Sequence, residues 1–245
     1  LSAYVRLATK AGVTQAMFAE GGLSLTGGLA GPKLGLLKYI VDSHDPKDRD
    51  VVFIPVALNY DRVLEDKILT SAAKAQERRF KARIGVVTYR MLRQLGLWVT
   101  GRYHRFGYAA VSFGRPLSLT EFAARKSGDL TKPLAKDLMQ RIGEVVPVLP
   151  VPLVAWLLCR HGAMTRTTLI QKLEELISEM PLAHIHMPRR DWEYAAEVGL
   201  RQLIERDVVT ETSGQIAPND AQSDLLEFYA NSINHLVPQV EKGEF

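Results

Sequence analysis

The stretch FAEGGLSLTGGLAGPKLGLL, Phe18 to Leu37, places glycine at 21, 22, 27, 28, 31 and 35, between a short apolar run and a resumed helical pattern. Val13 to Phe18 reads as a short strand entering this loop, and Leu34 to Val41 as the helix leaving it. A glycine-rich turn between strand and helix can aim backbone N–H groups at an anion. The helix start leaves donors unpaired, and missing side chains permit close approach. The spacing matches neither the dinucleotide fingerprint nor the nucleotide P-loop, because Lys33 lacks the required following Ser or Thr. From loop composition alone, a purely structural turn stands beside the anion cradle as a reading.

Working outward, Ser2 to Ala11 reads as a helix stopped by Gly12, and DSHDPKDRD from Asp42 to Asp50 as a surface connection in which His44 is solvated. VVFIPVALNY, Val51 to Tyr60, is a near-continuous apolar, β-branched run that predicts a strand buried on both faces. Helix, strand, loop, helix, strand is an α/β order with a mixed, mainly parallel sheet and flanking helices. GYAAVSFGRPLSL, Gly107 to Leu119, predicts another strand ending at the Gly114–Pro116 turn, and Leu119 opens a helical register.

Beyond Thr131 the pattern is mostly helical, with periodic apolar positions in Leu134 to Val146, Leu169 to Met180 and Trp192 to Ile204, and a closing helix from Asp220 to Leu236. Arg206 to Asn219 reads as two short β runs around Ser213-Gly214. The uncharged run VVPVLPVPLVAWLLC, Val145 to Cys159, holds three prolines and is shorter than the roughly 20 residues that cross a bilayer. It is expected as an extended connector entering a buried helix near Pro152. Residues 1–124 are thus expected as an α/β part and 125–245 as a helical C-terminal region.

A hydrophobic content of 47% with 24% charged residues excludes a disordered chain and supports one substantial core. The single Cys159 cannot form an internal disulfide, so it is expected as a buried, reduced thiol in a cytoplasmic setting. The opening at Leu1 rather than Met suggests a beginning that lies upstream.

The net charge of +4 is unevenly spread: nine Lys and Arg and no acidic residue lie between Arg78 and Thr120, leaving the rest net acidic. With Tyr89, Leu92, Leu95 and Trp98 among those cations, a helix here could rest on an anionic membrane surface. A core-facing helix with a solvated basic back is the alternative.

Two blocks, taken together, carry a resemblance. F-x-E-G-G-x-S-x-T-G at Phe18 to Gly27, followed by P-K-x-G at Pro32 to Gly35 and I-P-V at Ile54 to Val56, resembles the glycerol-3-phosphate acyltransferase family of phospholipid biosynthesis. Gly107 to Phe122 is similar to the strand that completes the acyltransferase domain, and the helical C-terminal part resembles the tail of bacterial full-length enzymes. The resemblance implies acyl transfer from acyl-CoA or acyl carrier protein to glycerol 3-phosphate, at the cytoplasmic face of the cell membrane, without a cofactor or metal. It places substrate binding on Glu20, Gly21, Gly22, Ser24, Lys33 and Pro55. The basic segment 78–120 is then expected to meet anionic lipid and an acidic acyl carrier.

In this family a His-x-x-x-x-Asp motif upstream of the glycine-rich block does the chemistry, the histidine taking the proton of the attacking hydroxyl. Nineteen residues precede Glu20 and none is histidine. No catalytic residue is therefore assigned, and the chain is expected to be an incomplete piece, inactive alone. His186 and Asp191 have the dyad's spacing, but they lie far downstream and Pro188 breaks any regular helix between them. His161 is expected as a helix-end residue.

Many members also carry arginine near these glycines, where this chain has Leu23 and Leu25. The second leucine removes an expected phosphate ligand.

The alternative function is a nucleic-acid-binding or regulatory winged-helix-like module in the C-terminal half. Glu193, Glu197 and Glu205 on its candidate recognition helix would repel phosphates, so no nucleic-acid partner is expected.

Overall fold

A computed structural model describes residues 1–75, 107–180, 184–186 and 191–238. The basic segment expected from Arg78 onward lies outside the described residues as far as residue 106.

Helices α1 (Ser2–Lys10) and α2 (Leu34–Val41) form where the apolar spacing places them. The run Val13 to Phe18, expected as a strand, is irregular. It has no ladder partner; Met17 alone packs inward, while Val13 and Phe18 are exposed.

The long apolar run splits into β1 (Val52–Phe53) and β2 (Val56–Tyr60) at Ile54-Pro55, where proline has no N–H for a ladder. The facing run splits likewise, into β3 (Ala109–Phe113) and β4 (Leu117–Ser118). The two runs lie side by side in opposite directions, so β1 pairs antiparallel with β4 and β2 antiparallel with β3, Val56 opposite Phe113 and Tyr60 opposite Ala109.

Burial on both faces does not occur. Ala57 and Asn59 point inward, whereas Val56, Leu58 and Tyr60 are exposed beside Val111 and Phe113. The fold class is mixed helix and sheet, but among the described residues the only parallel pair is β5 (Pro147–Val148) with β7 (His184–Ile185).

After α3 (Asp66–Ala75), α4 (Leu119–Ala124) starts at Ser118, whose hydroxyl accepts the Glu121 N–H at 3.0 Å. Helix α5 (Thr131–Glu144) then packs on α2. Leu37, Leu117, Leu119, Leu134, Ala135 and Leu138 form one small core, with Met17, Leu34 and Phe53 at its edge. Helix α5 thus shares this core with α2, β4 and α4.

The main core surrounds α6 (Pro150–His161), which begins two residues before the expected Pro152. Pro150 and Pro152 sit in its first turn, where the missing N–H groups would have had no partner. Around it pack α7 (Arg166–Ser178), α8 (Trp192–Ile204) and α9 (Ser223–Asn231), the last preceded by a short 3-10 turn, Asp220–Gln222.

Strands β6 (Met164–Thr165), β8 (Val209–Thr212) and β9 (Gln215–Pro218) form an antiparallel sheet in the order β6-β9-β8. Its hairpin turns at Ser213 and Gly214, both at positive φ (52° and 78°), as a tight two-residue hairpin loop requires. His161 ends α6 as expected. Cys159, expected buried, is exposed. Its thiol is nonetheless pushed up to about 11, by partial removal from water first and then by Glu227, so it is a poor nucleophile at neutral pH.

Candidate functional site

The glycine-rich stretch closes on itself. The Lys33 N–H donates to Ala19 O at 2.8 Å, and the Ala30 N–H donates to Glu20 Oε2 at 2.8 Å. Together they tie the base of a loop running from Ala19 to Lys33, a compact arrangement with its ends adjacent. Inside it the Ser24 hydroxyl donates to Gly28 O at 2.6 Å. Glu20 and Ser24 therefore shape the loop from within.

Gly21 sits at φ 70°, and a Cβ there would lie 2.7 Å from Lys33 Cγ. Only glycine lets the lysine stem cross the turn this closely. Lys33 is the N-cap of α2, whose first turn has no side-chain cap, and among the described residues no carboxylate pairs with its ammonium. Gly22 faces open space. One exposed corner thus brings together a cation, the start of a helix and a bare backbone turn.

The far half of the loop is turned the other way. Asn231 Nδ2 donates to Thr26 O at 3.0 Å, and a Cβ on Gly27, at φ 83°, would fall 1.8 Å from Phe228 O. Leu25 packs against the main core, and Leu29 Cδ1 would lie 3.1 Å from a Cβ on Gly143 of α5. Leu25 accordingly occupies an apolar contact rather than a phosphate-facing position, while Leu23 is 71% exposed.

Pro55 is buried at the break between β1 and β2, where its carbonyl accepts the Gly114 N–H at 2.8 Å and its ring lies against Gly114. Both contacts are with the Gly114 turn. His186 and Asp191 have separate tasks. Asp191 accepts the Tyr194 N–H at 3.1 Å as the N-cap of α8, and His186 Nε2 lies 3.2 Å from Ser112 Oγ. His44 departs from the solvated position expected for it, since both ring nitrogens are occluded and lack a hydrogen-bond partner.

A family model described as the glycerol-3-phosphate acyltransferase C-terminal region matches residues 97–238, more than half of the sequence. The chain belongs to the glycerol-3-phosphate acyltransferase family. It is 28% identical over 257 residues to the glycerol-3-phosphate acyltransferase of Aeromonas hydrophila, covering 95% of this chain and 30% of the relative. The enzyme of that name from Pseudomonas fluorescens (strain Pf-5) is 27% identical over 254 residues, covering 89% and 28%. A putative acyltransferase, plsB1, of Mycobacterium bovis is 30% identical over 242 residues, covering 89% and 36%. The chain spans about a third of the length of the curated relatives it matches.

In this acyltransferase-family chain the run Asn59 to Asp66 anchors the first part to the C-terminal region. Asn59 Nδ2 donates to Pro147 O at 2.8 Å. Asp61 accepts the N–H groups of Val151 and Tyr108, both at 2.9 Å. Asp66 Oδ2 accepts from Arg206 Nη2 and from the Tyr229 hydroxyl, each at 2.5 Å. All three side chains of this run are buried, and burial raises the Tyr229 hydroxyl pKa, as does the adjacent Asp66. Nothing local in the sequence marks these three residues as anchors. These partners of Asn59, Asp61 and Asp66 lie 47 to 163 residues away, and no local pattern names them.

Proposed function

We propose that the loop Ala19–Lys33 binds glycerol 3-phosphate in an O-acyltransferase whose acyl group comes from acyl-CoA or acyl carrier protein. The observation that carries this reading is the exposed corner where Lys33, the uncapped start of α2 and the bare Gly21-Gly22 turn converge. It supplies one exposed cation and the uncapped N–H groups of a helix start, the two kinds of donor a phosphate takes. Gly22 remains open for close approach, Glu20 and Ser24 hold the loop, and Pro55 shapes the neighbouring sheet end.

The 245 residues carry no His-x-x-x-x-Asp before the loop, so turnover needs residues outside them. Val56, Leu58, Tyr60, Val111 and Phe113 also make an apolar sheet face that suits a further covering layer. The mainly parallel sheet is assigned to the complete domain, with additional strands joining at the sheet edge and helices lying over this face.

Among the described residues no helix is long and apolar enough to cross a membrane, and we assign peripheral docking at the inner face to the basic segment 78–120. A thioester-release assay tests the reading. The chain alone is expected to be silent, and a version extended to include an upstream His-x-x-x-x-Asp is expected to be active with glycerol 3-phosphate. Activity in the short chain would refute the requirement for the dyad.

The strand order β6-β9-β8 among α6, α7 and α8 supports a winged-helix reading of the C-terminal region. The charge does not favour nucleic acid. On α8, Glu193 accompanies Glu197, and the nearby Arg166 is engaged by both Glu197 and Glu211, bonded to the latter at 2.6 and 2.8 Å. Salt-dependent binding of duplex DNA would revive that function; its absence supports a packing role for the module.

A further inference from the structure

We infer that helix α9 holds the acceptor loop in its binding shape, with Asn231 as the positioning residue. The inference rests on the acceptor reading of the loop, and it concerns a residue more than 200 positions away in sequence.

The loop's own bonds secure its base and its middle. Lys33 to Ala19 and Ala30 to Glu20 close the base, and Ser24 to Gly28 staples the interior. None of these fixes the tip, Leu25 to Gly28, relative to the rest of the protein. That task falls to α9. Asn231, the last residue of the helix, donates its side-chain N–H to Thr26 O. The Gly27 backbone lies directly against the Phe228 carbonyl, and Gly28 stands against Asn231, a Cβ there falling 3.5 Å from Asn231 O. Leu25 inserts beside the core that α9 shares with α6 and α7.

The glycine pair at 27 and 28 therefore serves close docking on a helix, while the pair at 21 and 22 faces outward. One loop uses its two glycine pairs for two different approaches.

The support is rigid. Phe228, Tyr229 and Ala230 are buried, and Tyr229 is fixed by its hydroxyl bond to Asp66, which also holds Arg206. Asn231 follows two residues after Tyr229. A continuous chain of contacts thus runs from α3 through α9 to the loop tip, and a rigid tip limits how far the base can open at Gly21 and Lys33.

The test uses the chain with Asn231→Ala and Asn231→Asp. The aspartate keeps the side-chain shape but cannot donate to Thr26 O. Amide hydrogen exchange is followed at Ala30 and Lys33, with the buried amides of α6 as the check that the fold is retained, and glycerol 3-phosphate binding is titrated in parallel. Both variants are expected to speed exchange at Ala30 and Lys33 by roughly ten-fold and to weaken acceptor binding several-fold, with α6 unchanged. Unchanged loop exchange in both variants overturns the inference. If loop exchange rises while the unsubstituted chain fails to bind glycerol 3-phosphate, the support role of α9 stands and the acceptor reading falls.

Discussion

Asp61 Oδ1 accepts the Val151 N–H at 2.9 Å, joining the end of β2 to the first turn of the central helix α6 across 90 residues of sequence. Burial raises the pKa of this carboxyl to about 6, against the bonds from Val151 and Tyr108, which favour the ionised form. The folded protein therefore keeps a proton that the unfolded chain has released. Stability associated with this group is fully present below its ordinary value of 3.8 and falls as pH rises towards about 6.

Asp61→Asn removes that dependence and sets an amide N–H against one of the two backbone donors. Its stability deficit in urea denaturation is expected to be larger at about pH 4.5 than at about pH 7, by about 2 kcal/mol. Equal deficits at the two values would contradict the assignment.

Asp66 and Arg206 form a pair whose side chains are only 3% and 12% exposed. Removing either partner strands the other charge, so Asp66→Asn and Arg206→Met are each expected to destabilise by about 3 kcal/mol or more. The double variant is expected to lose clearly less than the sum. Additivity within about 0.5 kcal/mol in a double-mutant cycle would show that the two residues do not act together.

Leu23 and Leu25 lie two residues apart and predict opposite outcomes for the same substitution. Leu23→Arg places a guanidinium on the exposed corner near Lys33 and is expected to tighten glycerol 3-phosphate binding by roughly ten-fold with little change in stability. Leu25→Arg brings a charge against the main core and is expected to lower stability by about 2 kcal/mol without improving affinity. Titration and thermal melting of the two variants check this pair, and a gain in affinity from Leu25→Arg would contradict the orientation described for the loop.

The sequence was most legible where structure is local. Apolar spacing placed α1, α2 and α8, Gly114-Pro116 marked the break between β3 and β4, and Ser213-Gly214 marked the hairpin. It was least legible where the answer depends on what lies opposite. Val51 to Tyr60 has the composition of a strand buried on both faces, yet Pro55 divides it and one side of β2 stays exposed, which composition alone cannot report. The glycine-rich block was recognisable as a loop entering α2. That Gly27 meets Phe228, and that Leu25 faces the core, depended on a helix near the other end of the chain. The anchors at Asn59, Asp61 and Asp66 were hidden for the same reason.

The most direct test is calorimetric titration of glycerol 3-phosphate into the unsubstituted chain and into Lys33→Met. The account predicts saturable one-to-one binding that weakens roughly ten-fold or more in Lys33→Met, because a charge-assisted phosphate contact is lost. Absence of binding by the unsubstituted chain, or equal binding by the two proteins, would contradict the assignment of the loop as the acceptor site.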